Sequence, residues 1–161
     1  MVDSTWNRLN LMFRNRDLSS EERIQLILNS GCDVLNLSIG ILTRIDYDRQ
    51  TVMYSTSKKL QDVKFNLYDS LCQFTVEHGD LIASRDLTDT NWRKYGIVKP
   101  LRFGTYIGIP IVIDKQLFGT LFFAGSKPRS ANFTVREEAF LKMMATAVRN
   151  IVQQELMPLA S

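Results

Sequence analysis

Thr105–Gly125, TYIGIPIVIDKQLFGTLFFAG, decides the fold. Its first half has a period of two. Ile107, Ile109, Ile111 and Ile113 fall on one side of an extended chain, and Tyr106, Gly108, Pro110 and Val112 on the other, because successive side chains of a strand point to opposite faces. One side is uniformly bulky, as a sheet face covered by helices requires. The other mixes small and aromatic groups and leaves room beside it. After a turn at Asp114–Gln116, Leu117, Gly119, Leu121 and Phe123 alternate against Phe118, Thr120, Phe122 and Ala124 in a returning strand. Strands joined so closely pair antiparallel. Pro110 has no N–H to give to a ladder and marks an edge or a bulge.

An earlier hairpin has the same character. Leu37, Ile39, Ile41 and Ile45 alternate with Ser38, Gly40, Leu42 and Arg44, the polar run YDRQ (47–50) turns the chain, and TVMYSTS (51–57) returns it. Helical spacing appears on either side of the two hairpins. Trp6, Leu9, Met12 and Phe13 form the apolar side of a first helix. Ser19 and Glu22 form a capping box ahead of a second helix, whose stripe is Ile24, Ile27, Leu28, Cys32 and Leu35. Thr134 and Glu137 form another box, opening a long helix that runs to about Leu156 and stops near Pro158. The middle is less regular: a helix of about three turns over 67–79 closed by Gly79, a short strand within 80–87, and one or two helical turns within 90–97. The order predicts one α+β domain over 1–161 with an antiparallel sheet: a first helix and linker (1–18), a core (19–133) and a final helix (134–157).

Composition narrows the function. With 161 residues, 45% hydrophobic and 23% charged, the chain is large enough for one core without a metal or disulfide. It holds no apolar run near the ~18 residues of a membrane span, and its first residues lack a basic and then apolar leader, so a cytoplasmic protein is expected. Cys32 and Cys72 are read as free thiols, Cys32 as a small core residue. The net charge of +3 comes from scattered residues, unlike the concentrated basic face of a nucleic-acid binder. One histidine and two separated cysteines cannot build a tetrahedral structural zinc site without carboxylates, and no C-x-x-C pair occurs, so no metal is expected.

Three phrases carry a family resemblance: SLCQFTVEHGDLIASRDL (70–87), TYIGIPIVIDKQLFGTLFFAGSKP (105–128) and RSANFTVREEAFLKMMATAV (129–148). In this order and spacing, over about Ser19 to Gln154, the chain resembles GAF domains, the ligand- and light-sensing modules of signalling proteins. The resemblance implies a sheet with the N- and C-terminal helices bundled on one face and a ligand pocket, roofed by the irregular middle, on the other. It also implies a regulatory sensor that passes its signal through the terminal helices, as a homodimer, to an output such as the histidine kinase of a two-component system or a cyclic-dinucleotide cyclase. Bilin-carrying members resemble one another in a Cys-His dipeptide past the middle loop, and none occurs here. The members that reduce free methionine sulfoxide share a three-cysteine arrangement that two cysteines do not meet. No enzyme and no cofactor are therefore expected.

Cys72 and His78 stand six apart, roughly 120° around a helix axis, and do not face one another. His78 before Gly79 reads as a helix C-terminal residue favoured by the dipole. A single histidine gives haem little support. What remains is a pocket lined by Cys72 and Thr75 from the central helix, Asp86 at a strand end, Trp92, Tyr95 and Arg102 from the middle, and Tyr106, Thr120 and Phe122 from the sheet. Aromatic walls with a few polar groups suit a small molecule, although aromatics also simply fill cores. Two other functions stand beside ligand sensing: a structural homodimerisation module without ligand, and a thiol redox sensor working through Cys72.

Overall fold

The computed structural model describes residues 4–88 and 103–156. The decisive stretch forms β5 (Thr105–Ile113) and β6 (Gln116–Gly125). They are joined through Asp114 and Lys115, both with positive φ (51° and 66°), the left-handed pair whose twist matches that of two paired strands. With β1 (Ile39–Asp46), β2 (Arg49–Ser55), β3 (Lys64–Asn66) and β4 (Ile82–Ser84), they make a sheet in the order β3-β2-β1-β6-β5-β4, antiparallel throughout. β4 pairs with β5 only across Tyr106–Gly108. Pro110 therefore stands beyond its end, where a missing N–H costs no bond to β4.

Two bulges adjust what strict alternation predicts. Ile111 pairs with Gly119 and Val112 with Leu117, which leaves Phe118 as the extra residue. Phe118 consequently joins Ile113 and Leu121 on the helix side, not Thr120 and Phe122 as the period of two implies. The other bulge falls where Leu42 pairs with Tyr54 and Thr43 with Val52. β1 also begins at Ile39, later than expected. Leu37 still belongs to the turn closing the preceding helix, its N–H bonded to the Cys32 carbonyl, and it packs with the helix-side core instead of with Ile41.

Helices α1 (Ser4–Phe13), α2 (Ser20–Leu35) and α4 (Val135–Ile151) cover one face. Both capping boxes are formed, Ser19 with Glu22 and Thr134 with Glu137. Ile24, Ile27 and Leu28 of α2 and Phe140, Met144 and Val148 of α4 meet Ile107, Ile109, Ile111, Leu121 and Phe123 in the larger core. Cys32 lies half-buried at its border. α4 ends at Ile151, and the chain goes on to Leu156 as a wider π turn, where the sequence reads as one continuous helix. Among the described residues no helix is long and apolar enough to cross a membrane.

The expected three-turn central helix is instead a 3-10 turn, Leu67–Asp69, followed by α3 (Cys72–His78). Ser70 separates the two. Its backbone is extended (φ −121°, ψ 160°), and its hydroxyl accepts from the Cys72 N–H and donates toward the Leu67 carbonyl, the local competition by which serine breaks helices.

Contact between α2 and the sheet depends on two missing side chains. A Cβ on Gly31 would overlap the Phe123 ring, and one on Gly40 would come within 2.7 Å of it. Gly31→Ala is expected to lower stability by about 1–3 kcal/mol in urea denaturation. In a double-mutant cycle with Phe123→Leu, the two losses should sum to less than their parts, because the smaller side chain vacates the contested space.

Candidate functional site

The second face of the sheet has its own core. Ile41 and Val52 from the first hairpin, Leu67, Leu71 and Cys72 from the segment above, Leu87, and Phe103, Tyr106, Phe122 and Ala124 close on one another. Tyr106 stacks on Phe122 with ring centroids 5.3 Å apart, and Phe103 meets Phe122 edge-on at 6.4 Å. Inside this apolar shell sit Thr43, Gln50, Ser70, Thr75 and Thr120, all fully buried. Every one is neutral.

Their hydrogen bonds have a direction. Gln50 Nε2 donates to Thr43 Oγ1 at 2.8 Å and to Thr120 Oγ1 at 3.1 Å, and the Thr120 N–H also donates to Thr43 Oγ1 at 3.1 Å. Both lone pairs of the Thr43 hydroxyl are thereby taken. Its own proton then goes to Thr120 Oγ1, 2.8 Å away, and Thr120 in turn donates to Cys72 Sγ at 3.3 Å. At the far end Tyr106 Oη lies 2.8 Å from Thr75 Oγ1 and 3.7 Å from the same sulfur. At the start of the chain the one Ser70 hydroxyl proton is shared between the Leu67 carbonyl at 3.0 Å and Gln50 Oε1 at 3.1 Å. Gly108 makes room for the tyrosine: a Cβ there would collide with the Tyr106 hydroxyl.

Five of the sequence-derived site residues are thus brought together: Cys72, Thr75, Tyr106, Thr120 and Phe122. Asp86 stands apart. Its carboxylate turns back to accept from the backbone and hydroxyl of Thr88, and these two bonds hold its pKa below the usual carboxylate value. Trp92, Tyr95 and Arg102 lie outside the described residues. Thr43, Gln50 and Ser70 escape the sequence reading. Gln50 looks like part of the polar turn, yet counting back by two from Val52 puts it on the inward side of β2.

The two residues most suggestive of catalysis are separated. His78 is exposed at the end of α3, beside Gly79 (φ 78°), whose N–H bonds to the Thr75 carbonyl. Cys72 faces inward without exposure. Burial pushes its pKa up, against the lowering effect of hydrogen bonds from Thr120, Gln50, Tyr106 and Ser70, so it stays a thiol. Burial likewise raises Cys32, to about 11. Cys72 is sealed behind Tyr106 and Thr120, and Cys32 lies half-buried against the helix-side core. Among the described residues no group of three or more His, Cys, Asp or Glu comes together as a metal site would need. Two cavities, of about 190 and about 470 Å³, lie away from this core. One opens between α1, α2 and α4, the other beside residues 36–38 and 125–131.

A helix layer on one face of an antiparallel sheet, with a closed polar interior on the other, defines a small α+β module. The chain belongs to the GAF domain family, whose model matches residues 17–153. No curated protein matches the sequence. Among solved structures it is similar to the GAF domain of an Acinetobacter phosphoenolpyruvate-protein phosphotransferase (TM-score 0.76, 14% identity, 94% of each chain covered). The corresponding domain from Coxiella burnetii gives 0.72 at 17% identity, covering 91% of this chain and 90% of that one. The blue-light absorbing form of the Thermosynechococcus elongatus PixJ GAF domain gives 0.64 at 18%, covering 98% and 93%. At these identities the likeness is one of fold.

Two outcomes are expected. A thiol reagent modifies Cys32 of the folded protein well before Cys72, whose labelling follows the rate of unfolding. Stability is fully present below about pH 9 and is lost as pH rises from there toward 11. The folded chain keeps the Cys32 proton that the unfolded chain releases from its ordinary value of 9.0. Cys72 and Tyr106, also raised, act in the same direction. Denaturant midpoints at about pH 8 and about pH 10.5 check this, with Cys32→Ser expected to flatten part of the slope.

Proposed function

We propose that this GAF domain is the non-catalytic sensor module of a cytoplasmic signal-transduction protein. It binds a small molecule beside the Thr75–Tyr106 end of the buried hydroxyl chain and relays occupancy through its terminal helices. One observation carries this reading: a fully buried, wholly neutral polar cluster occupies the sheet face away from the helices. Apolar side chains of similar size would stabilise the fold at least as well, since buried polar groups gain little beyond satisfying one another. Their placement is what a binding chamber uses, hydrogen-bonding groups at one end and the Phe103, Tyr106 and Phe122 rings as walls. The ligand is held without a covalent bond.

Relay follows from β5. Tyr106 is on its chamber face, while Ile107 and Ile109 are on the other, under α4. A ligand that displaces the Tyr106 ring moves the strand that α4 rests on, a shear of the kind that packed helices transmit. In this reading the domain acts as a homodimer through its terminal helices and its output is a kinase or cyclase in the same protein.

A second reading, homodimerisation without ligand, has its own support: the hydroxyl chain is satisfied from within, and Leu11, Met12 and Val135 of the terminal helices are exposed. Thiol redox sensing has less, because Cys72 is sealed.

Melting temperature decides between them. Among cyclic nucleotides, small acids and tetrapyrroles, at least one class should raise it saturably, and Tyr106→Phe should abolish that rise while costing the free protein only about 1 kcal/mol. If no class raises it and the chain sediments as a dimer, the structural reading stands instead.

A further inference from the structure

A second polar site lies on the opposite side of the molecule. The cavity of about 190 Å³ between α1, α2 and α4 is walled by Arg14, Arg16 and Arg23, with the side-chain amides of Asn150 and Gln154, above an apolar floor that includes Phe13 and Ile151. Among the described residues no carboxylate lines it. Three guanidinium groups around so small a space repel one another unless a counter-charge sits among them.

The chain supplies part of that charge from outside the cavity. Glu155 pairs with Arg23, and its pKa is lowered by a hydrogen bond from Ser20 and by Arg23. Arg16 Nη2 donates to Gln154 Oε1 at 3.1 Å. Arg23 is nevertheless incompletely satisfied. It is 5% exposed, and its Nε has no hydrogen-bond partner among the described residues. A buried charged donor left unpaired is costly, and arginine presents its donors as a planar fork that fits the oxygens of an oxyanion.

We propose that this cavity binds a phosphate-type oxyanion, with the buried Arg23 as anchor, the exposed Arg14 and Arg16 closing over it from the α1–α2 connection, and Asn150 and Gln154 providing neutral donors. The floor of Phe13 and Ile151 leaves room for a small organic substituent, so the class includes phosphate monoesters as well as the free ion. The anion competes with Glu155 for Arg23. Its site is independent of the chamber on the other face of the sheet.

Calorimetric titration of the whole chain with inorganic phosphate and with glycerol phosphate tests this, the ionic strength being held constant with chloride. Saturable one-to-one binding is expected, and a tighter constant for the ester would identify the monoester as the better occupant. Arg14→Gln together with Arg16→Gln, both exposed and verified as folded by circular dichroism, should weaken binding by about tenfold or more. Glu155→Gln should tighten it several-fold by freeing Arg23, which a purely structural clasp would not do. The proposal is overturned if neither phosphate binds above the chloride control in the native chain and the Glu155→Gln variant. It is equally overturned if the arginine replacements leave the affinity unchanged.

Discussion

β5 and β6 are buried on both faces, and the rest of the molecule is arranged around that constraint. A strand pair in this position must be covered twice. The isoleucine face and Phe123 are covered by α2 and α4, drawn close because Gly31 and Gly40 leave space for the ring. On the opposite face α3 and the turn before it form the cover, and the first hairpin extends the sheet beneath them, with side chains there that are mixed apolar and hydroxyl-bearing. Two cores of different chemistry share one sheet, and any movement of its central strands is felt in both.

The two cores differ in how their polar groups are satisfied. On the second face Gln50, Thr43 and Thr120 donate in sequence to Cys72 Sγ at the end of the chain, and no ionised group is present to demand solvation. On the helix side one buried polar group is a cation, Arg23, held by a carboxylate from another segment and still short of one partner among the described residues. The first arrangement is neutral and bonded from within. The second calls for negative charge.

Much of the fold is legible in the sequence because it rests on local patterns. The isoleucine alternation, both capping boxes and the Asp114–Lys115 turn are each set by a few neighbouring residues. Phe118, Leu37 and the central helix read differently in sequence because their placement is decided by partners far along the chain: a bulge against Ile111, a helix cap, and Ser70 engaged with Gln50. The candidate site divides in the same way. Cys72, Thr75, Tyr106, Thr120 and Phe122 follow from the helix and strand faces. Thr43 and Gln50 do not, since a threonine in a strand and a glutamine at a turn carry no sign of burial until β6 is laid beside β1.

The π turn after α4 has a consequence for the arginine cluster. An α-helix advances about 100° per residue, and the extra residue in a wide turn shifts everything after it by about that angle relative to the stripe that α4 lays on the sheet. Gln154 still shares a face with Ala147 and Asn150, and within the wide turn it meets Arg16 while Glu155 meets Arg23. The chain beyond Ile151 is therefore tied down twice, by Val152 continuing the apolar stripe and by the charges of α2 and its approach.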